Sequence, residues 1–336
     1  MRRLSRRCTL VVVAISAAVA IAGASAAGPS SSAPSLAGKN APSLAGKKKC
    51  TFVIKIVHGK KHKVRVCHTI KPPPPPPPLP PQVETQMVDV GGYRLYIECT
   101  GSGSPTVILI HGSNDDHLRW HLVEPDVGTT TRVCAYDRAG DGKSDARPAG
   151  RYPASRVVDE LHALLTNGHI PGPYVLAGHS IGGFYARLYT KHYPGDVAGL
   201  VLLDGVPEQW LALWLAAEQE AGLDEGADFP DAIQELTGFS TGPRPLVVLV
   251  QGAGVLSVGT FAGWEAGQKS VAQRSTNAWF VRVTSVGHNI AEGNPRLVVE
   301  SIRAVVTAVR SSTALPACAS SAIPAARGEC LDPNAR

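Results

Sequence analysis

From about residue 87 onward, short apolar runs alternate with longer amphipathic stretches. The apolar runs are Tyr93–Cys99, Thr106–Ile110, Arg132–Tyr136, Tyr174–Ala177, Ala198–Leu203, Leu246–Val250 and Trp279–Thr284. They lack the polar alternation of a half-exposed strand, so they read as strands covered on both faces. Helix-compatible stretches lie among them at Arg156–Leu165, Gly183–Lys191 and Arg296–Arg310. Strands separated by helices predict an α/β domain, a mostly parallel sheet with helices on both sides. Residues 206–243 interrupt the rhythm: Trp210, Leu211, Leu213, Trp214 and Leu215 are followed by an acidic helix-like run. This segment reads as a helical lid inserted between two strands.

The first 82 residues follow a different pattern. Arg2, Arg3, Arg6 and Arg7 precede an apolar stretch from Leu10 to Gly23, and Ala24-Ser25-Ala26 fits a cleavage site. Residues 1–26 therefore read as a cleaved signal peptide, and the chain as secreted or cell-envelope associated, because the apolar run falls short of the ~20 residues that span a bilayer. Residues 27–49 are rich in Ser, Pro and Lys, and Ala33–Lys39 is repeated as Ala41–Lys47, which reads as a linker. Residues 50–70 read as a hairpin whose turn is His58-Gly59, placing Cys50 opposite Cys67 within disulfide reach. From Pro72 to Pro81 every residue but Leu79 is proline. That segment, 71–82, reads as a polyproline spacer of roughly 30 Å at ~3.1 Å per residue. A single folded domain is expected over 83–312, a size at which one large core is common, with 313–336 as a tail closed by Cys318 and Cys330.

Charge sharpens this division. Residues 1–81 hold 14 Lys/Arg and no Asp or Glu, whereas the remainder holds 19 Lys/Arg against 27 Asp/Glu. The overall +6 therefore describes the leader, and the expected domain is acidic. Residues 28–81 suit association with cell-wall polymer or an anionic surface, and nucleic acid is not an expected partner.

The chemistry centres on Gly178-His179-Ser180-Ile181-Gly182-Gly183, placed directly after Tyr174–Ala177. G-x-S-x-G at a strand end is a nucleophile elbow, a sharp strand-to-helix turn that projects a serine hydroxyl. A serine needs a base, and His288, after Gly287 and the last apolar run, is the candidate. Two other glycine patterns fail. Gly142-Lys143-Ser144 would need a glycine where Asp137 stands, and Gly252-Ala253-Gly254 would need one at Ser257. No nucleotide, cofactor or metal is expected.

Four features together resemble the α/β-hydrolase family over roughly 87–312. They are His111-Gly112 after one strand, Tyr136-Asp-Arg-Ala-Gly-Asp-Gly-Lys-Ser-Asp145 after the next, the elbow, and Gly287-His288. The resemblance implies an eight-stranded, mostly parallel sheet and the order Ser, acid, His. It also implies neighbouring strands for Cys99 and Cys134, hence a third disulfide. The acid is Asp204, directly after Leu200–Leu203, with Glu265, a lid acid such as Asp228, or no acid at all as alternatives, because no carboxylate follows Gln251-Gly252 directly. The oxyanion donors are the backbone amides of Ile181 and of Ser113, with Asn114 as the alternative to Ser113. His179 is supporting and His111 shapes the oxyanion loop. A serine at the elbow argues against dehalogenase or epoxide-hydrolase chemistry, whose members of the family use aspartate there. The expected activity is serine-esterase hydrolysis of a small-molecule acyl ester, with an aminopeptidase-like amide hydrolase or a non-catalytic ligand-binding member as alternatives.

Overall fold

The computed structural model describes residues 48–57, 60–69, 83–220, 226–252, 260–284 and 286–334. The expected signal peptide, most of the linker, the hairpin turn, all of the polyproline segment and Ser257 lie outside them. The chain divides into two compact units at residues 77 and 78. In the first unit, β1 (Lys48–Val57) pairs antiparallel with β2 (Lys60–Thr69), and the register sets Cys50 opposite Cys67.

In the second unit the strands are β3 (Val83–Asp89), β4 (Arg94–Thr100), β5 (Thr106–Ile110), β6 (Val133–Tyr136), β7 (Tyr152–Pro153), β8 (Tyr174–His179), β9 (Val197–Leu203), β10 (Ala227–Asp228), β11 (Leu246–Gln251), β12 (Ala278–Val283) and β13 (Gly328–Leu331). The α-helices are α1 (Glu124–Gly128), α2 (Ser155–Asn167), α3 (Ile181–His192), α4 (Glu208–Glu220), α5 (Pro230–Leu236), α6 (Phe261–Ala272), α7 (Ile290–Gly293) and α8 (Pro295–Ser311). One sheet of nine strands runs in the order β13-β12-β11-β9-β8-β5-β6-β4-β3. Its centre, from β6 to β12, is parallel, and β3, β4 and β13 attach antiparallel at the edges. The eight expected strands are thus joined by a ninth, because the tail folds back and β13 pairs with β12.

The apolar runs become central strands because successive side chains point to opposite faces and both faces are covered. Ile108, Leu176, Leu200 and Val248 join one core with residues of α2 and α3. Their neighbours Val107, Val175, Val201 and Val247 join the other core with residues of α8. Cys99 and Cys134 stand directly opposite across β4 and β6 and are disulfide-bonded, as the resemblance implied, and Cys318 is bonded to Cys330.

A buried carboxyl marks the start of α1. Glu124 is 6% exposed, and Thr100 Oγ1 donates to it at 2.7 Å. Burial pushes its pKa up to about 7 from an ordinary 4.5. The folded chain therefore favours the neutral carboxyl. That contribution is complete below about pH 4.5, is lost as pH rises to about 7, and is flat beyond. Glu124→Gln keeps a neutral acceptor for Thr100. Its melting temperature should match the wild type near pH 4.5 and exceed it above pH 7, by the equivalent of at most about 3 kcal/mol. A melting series from pH 4.5 to 8 checks this. Parallel curves would place the raised pKa elsewhere.

Candidate active site

Ser180 sits at the tip of β8 and caps the N-terminus of α3 with φ +54° and ψ −124°, a conformation non-glycine residues rarely hold. Backbone bonds pin it: its N–H donates to Leu203 O at 3.0 Å, and its C=O accepts from Gly183 N at 2.9 Å and Val206 N at 3.0 Å. The turn closes only because Gly178 and Gly182 lack side chains. A Cβ on Gly178 would lie 2.4 Å from Gly182 O, and one on Gly182 would lie 2.4 Å from Ile110 O.

Asp204 follows β9, the next strand, and is fully buried with φ +46°. Its Oδ2 is 2.7 Å from His288 Nδ1. Its Oδ1 accepts from the Gln251 amide at 3.1 Å and from Trp264 Nε1 at 2.8 Å. The carboxylate is therefore held by two donors on Oδ1 while its Oδ2 faces the His288 ring. The rival acids are engaged elsewhere: both oxygens of Glu265 accept from Arg282, and Asp228 pairs with Arg151. Sequence reasoning missed Trp264. It stands 60 residues from Asp204, and no spacing rule links a helix indole to a carboxylate across the fold.

His288 lies beside the elbow. Its backbone O is 2.9 Å from His179 Nε2, and the two rings are 4.7 Å apart. Burial, reinforced by the neighbouring His288, holds the His179 pKa well below the usual imidazole range. A neutral His179 whose Nε2 faces a carbonyl carries its proton there and donates it, fixing the loop that presents His288.

Ile181 heads α3, so its amide has no partner within the helix, and the positive end of the helix dipole is at that position. Ser113 follows Gly112, whose Cα approaches Ser180 so closely that a Cβ there would lie 3.3 Å from the serine Cβ. Both Ser113 and Ile181 line a cavity of about 270 Å³, together with Tyr185, Trp214, Leu215 and Phe229. The last three come from the region expected to be a lid, whose described residues form α4, residues 226–229 and α5. Trp210 packs instead on Trp264, with ring centroids 6.1 Å apart. The base of α4 is anchored by Glu208, which accepts from Arg187 at 2.7 Å and Arg274 at 2.6 Å.

The stretch from Asp137 to Asp145 folds on itself. The Asp137 carboxylate accepts from the backbone N–H of His117 at 2.7 Å and of Lys143 at 2.8 Å, and lies 2.8 Å from His117 Nδ1. Ser144 Oγ donates to Asp137 O at 2.7 Å. Lys143 and Ser144, which mimic part of a phosphate loop, are thus tied into the protein's own turn. Asp116, His117 and Asp137 also bring ligand atoms close enough for a metal ion. Asp137 already serves these donors, however, and Asp116 accepts from Leu118 N.

A family profile described as alpha/beta hydrolase fold matches residues 105–231, which include the elbow and Asp204. The chain has the α/β-hydrolase fold. The protein YqjL of Bacillus subtilis (strain 168) is 27% identical over 208 residues, which is 59% of this chain and 82% of that one. A Mycobacterium tuberculosis (strain ATCC 25618 / H37Rv) protein, Rv2715, is 32% identical over 124 residues, and the match spans only 35% of its length. Among solved structures, a thermophilic esterase from Thermogutta terrifontis aligns with TM-score 0.52 at 22% identity, covering 67% of this chain and 99% of that one. The haloalkane dehalogenase DbeA from Bradyrhizobium elkani USDA94 aligns with TM-score 0.54 at 18% identity, covering 69% and 100%. Esterase and dehalogenase lie equally near, so the fold does not select the reaction and the side chains of the site must.

Proposed function

We propose that the chain is a secreted serine hydrolase that cleaves a carboxylic ester through an acyl-enzyme. The observation that carries this reading is the 2.7 Å contact between His288 Nδ1 and Asp204 Oδ2 beside a serine held at positive φ. Ser180 Oγ attacks the acyl carbon while His288 Nε2 takes its proton. The carbonyl oxygen becomes an oxyanion held by the Ser113 and Ile181 amides. Collapse breaks the ester C–O bond, and His288 returns the proton to the departing alcohol. Water then attacks the acyl-enzyme by the same route and releases the acid. The aromatic lining of Tyr185, Trp214 and Phe229 suits an apolar group of the ester. The Cys99–Cys134 and Cys318–Cys330 disulfides fit an oxidising compartment.

The test is fluorophosphonate labelling, with the modified residue located by mass spectrometry. A phosphonyl adduct on Ser180 is expected. Folded protein that takes no label would favour the ligand-binding reading, and labelled protein that turns over amides faster than esters would favour the aminopeptidase-like one.

The amino-terminal hairpin supports a second role, attachment to an anionic surface. Strands β1 and β2 carry seven Lys/Arg and no acid. Phe52 and Ile54 are 62% and 68% exposed, and they stand opposite Arg65 and Lys63 on one face. Exposed apolar side chains beside cations suit an anionic lipid interface, where each cation contributes about 1 kcal/mol. The full chain should cosediment with phosphatidylglycerol-containing vesicles and not with phosphatidylcholine alone. The K61E/K63E/R65E variant should lose about 100-fold in binding. Equal retention of the variant would remove this role.

A further inference from the structure

The geometry points to Arg138 as the residue that aims the Ser113 amide at the oxyanion, a positioning role that rests on the serine-hydrolase reading above. Arg138 is only 2% exposed, yet it is a full cation. Its Nη1 donates to His111 O at 2.8 Å and its Nη2 to Gly112 O at 2.7 Å. Asp141, 3.3 Å from Nη2, offsets the buried charge. A guanidinium suits this task because two nitrogens of its rigid planar fork each donate to one of two consecutive carbonyls, whereas an ammonium offers a single nitrogen with no fixed plane.

The consequence follows from peptide geometry. Gly112 C=O and Ser113 N–H belong to one planar trans unit and point in opposite directions. Gripping the carbonyl oxygen on one side therefore fixes where the N–H points on the other. A second donor reinforces the grip. The Arg138 backbone N–H donates to His111 Nε2 at 3.2 Å, so that nitrogen carries the lone pair and the ring proton is on Nδ1. His111 Nδ1, 2.9 Å from Gly112 O, then donates to the same oxygen. Burial first, and Arg138 second, hold the His111 pKa well below the usual imidazole range, so the ring stays in this neutral form. Two donors on one carbonyl also polarise the peptide and strengthen its N–H as a donor. Ser113 lines the same cavity as Ile181, which supplies the other oxyanion donor of the reaction proposed above. Without Arg138 this peptide could rotate and turn its carbonyl toward the developing negative charge.

The test compares wild type, Arg138→Gln and Arg138→Lys in hydrolysis of p-nitrophenyl butyrate, inhibition by phenylboronic acid, fluorophosphonate labelling and thermal melting. Phenylboronic acid forms a tetrahedral adduct on an activated serine and so places an oxygen where the oxyanion would lie. Arg138→Gln should lose about 10²- to 10³-fold in kcat, the scale of one oxyanion donor, with KM within about threefold. Its affinity for the boronate should fall in step with kcat. Arg138→Lys, which retains one contact, should recover part of both. A folded Arg138→Gln protein with wild-type kcat and boronate affinity would overturn the inference. So would losses that follow the melting temperature and raise KM as much as they lower kcat, since those mark a structural role alone. If Arg138→Gln does not fold, the lysine variant decides by the same measures: wild-type kcat and boronate affinity there would overturn the inference. Folded wild-type protein without labelling or turnover would instead sink the hydrolase reading itself, so the two failures are separable.

Discussion

The Ser180→Ala protein should hydrolyse p-nitrophenyl butyrate at least about 10⁴-fold more slowly than the wild type and take up no fluorophosphonate. The loss should be confined to chemistry. Alanine keeps the Cβ, so the substitution adds no backbone strain at φ +54°, and the bonds that pin the elbow run through the backbone of Ser180. Melting should therefore change by no more than the ~0.5 kcal/mol typical of a site without a structural task. Binding of a non-hydrolysed ester analogue should also persist, because the cavity walls remain. Initial rates and circular dichroism melting, measured side by side, read both quantities. Residual turnover above about a tenth of wild type would remove Ser180 as the nucleophile. The dehalogenase among the structural neighbours shows why this test has weight: the same fold carries different reactions, so the fold alone assigns none of them to this chain.

The elbow was legible in the sequence because its geometry leaves little freedom. The strand and helix cross so closely at Gly178 and Gly182 that no side chain fits, and the spacing of those glycines around Ser180 is therefore visible in one dimension. The central strands were legible for a related reason, since burial on both faces removes polar residues altogether. The edges were not. In β3 every residue but Val88 is exposed, so Val83–Asp89 shows no apolar run, and the pattern emerged only near Met87. Strand β13 is four residues long and owes its place to the edge of β12 and to the Cys318–Cys330 bond. Tertiary partners carry such segments, and local pattern does not. The same division holds within the site. A carboxylate directly after a strand is visible in the sequence at Asp204, but the donors to its Oδ1, Trp264 Nε1 and the Gln251 amide, come together only on folding. Arg138 stood in plain view within a recognised motif, yet its partners are backbone carbonyls, which leave no mark on sequence.

Those orienting donors make Asp204→Asn the more incisive substitution. Asp204 Oδ1 receives two hydrogen bonds, from Gln251 N and Trp264 Nε1. An asparagine must turn its only acceptor oxygen toward them, because an amide NH₂ there would face two donors. Its NH₂ group is then directed at His288 Nδ1, which the aspartate now meets at 2.7 Å. To accept that hydrogen bond His288 must leave Nδ1 unprotonated and carry its proton on Nε2. In that tautomer it cannot take the proton of Ser180. A change of one atom should therefore lower kcat by about 10⁴-fold, while KM and melting stay near wild type because shape and hydrogen-bond count are kept. Glu265→Gln and Asp228→Asn are the controls. Their carboxylates serve Arg282 and Arg151, so each should turn over within a few-fold of wild type. Turnover of Asp204→Asn within a few-fold of wild type would show that another group orients His288. A loss matched by Asp228→Asn would shift the acid to the lid, and a loss matched by Glu265→Gln would shift it to α6.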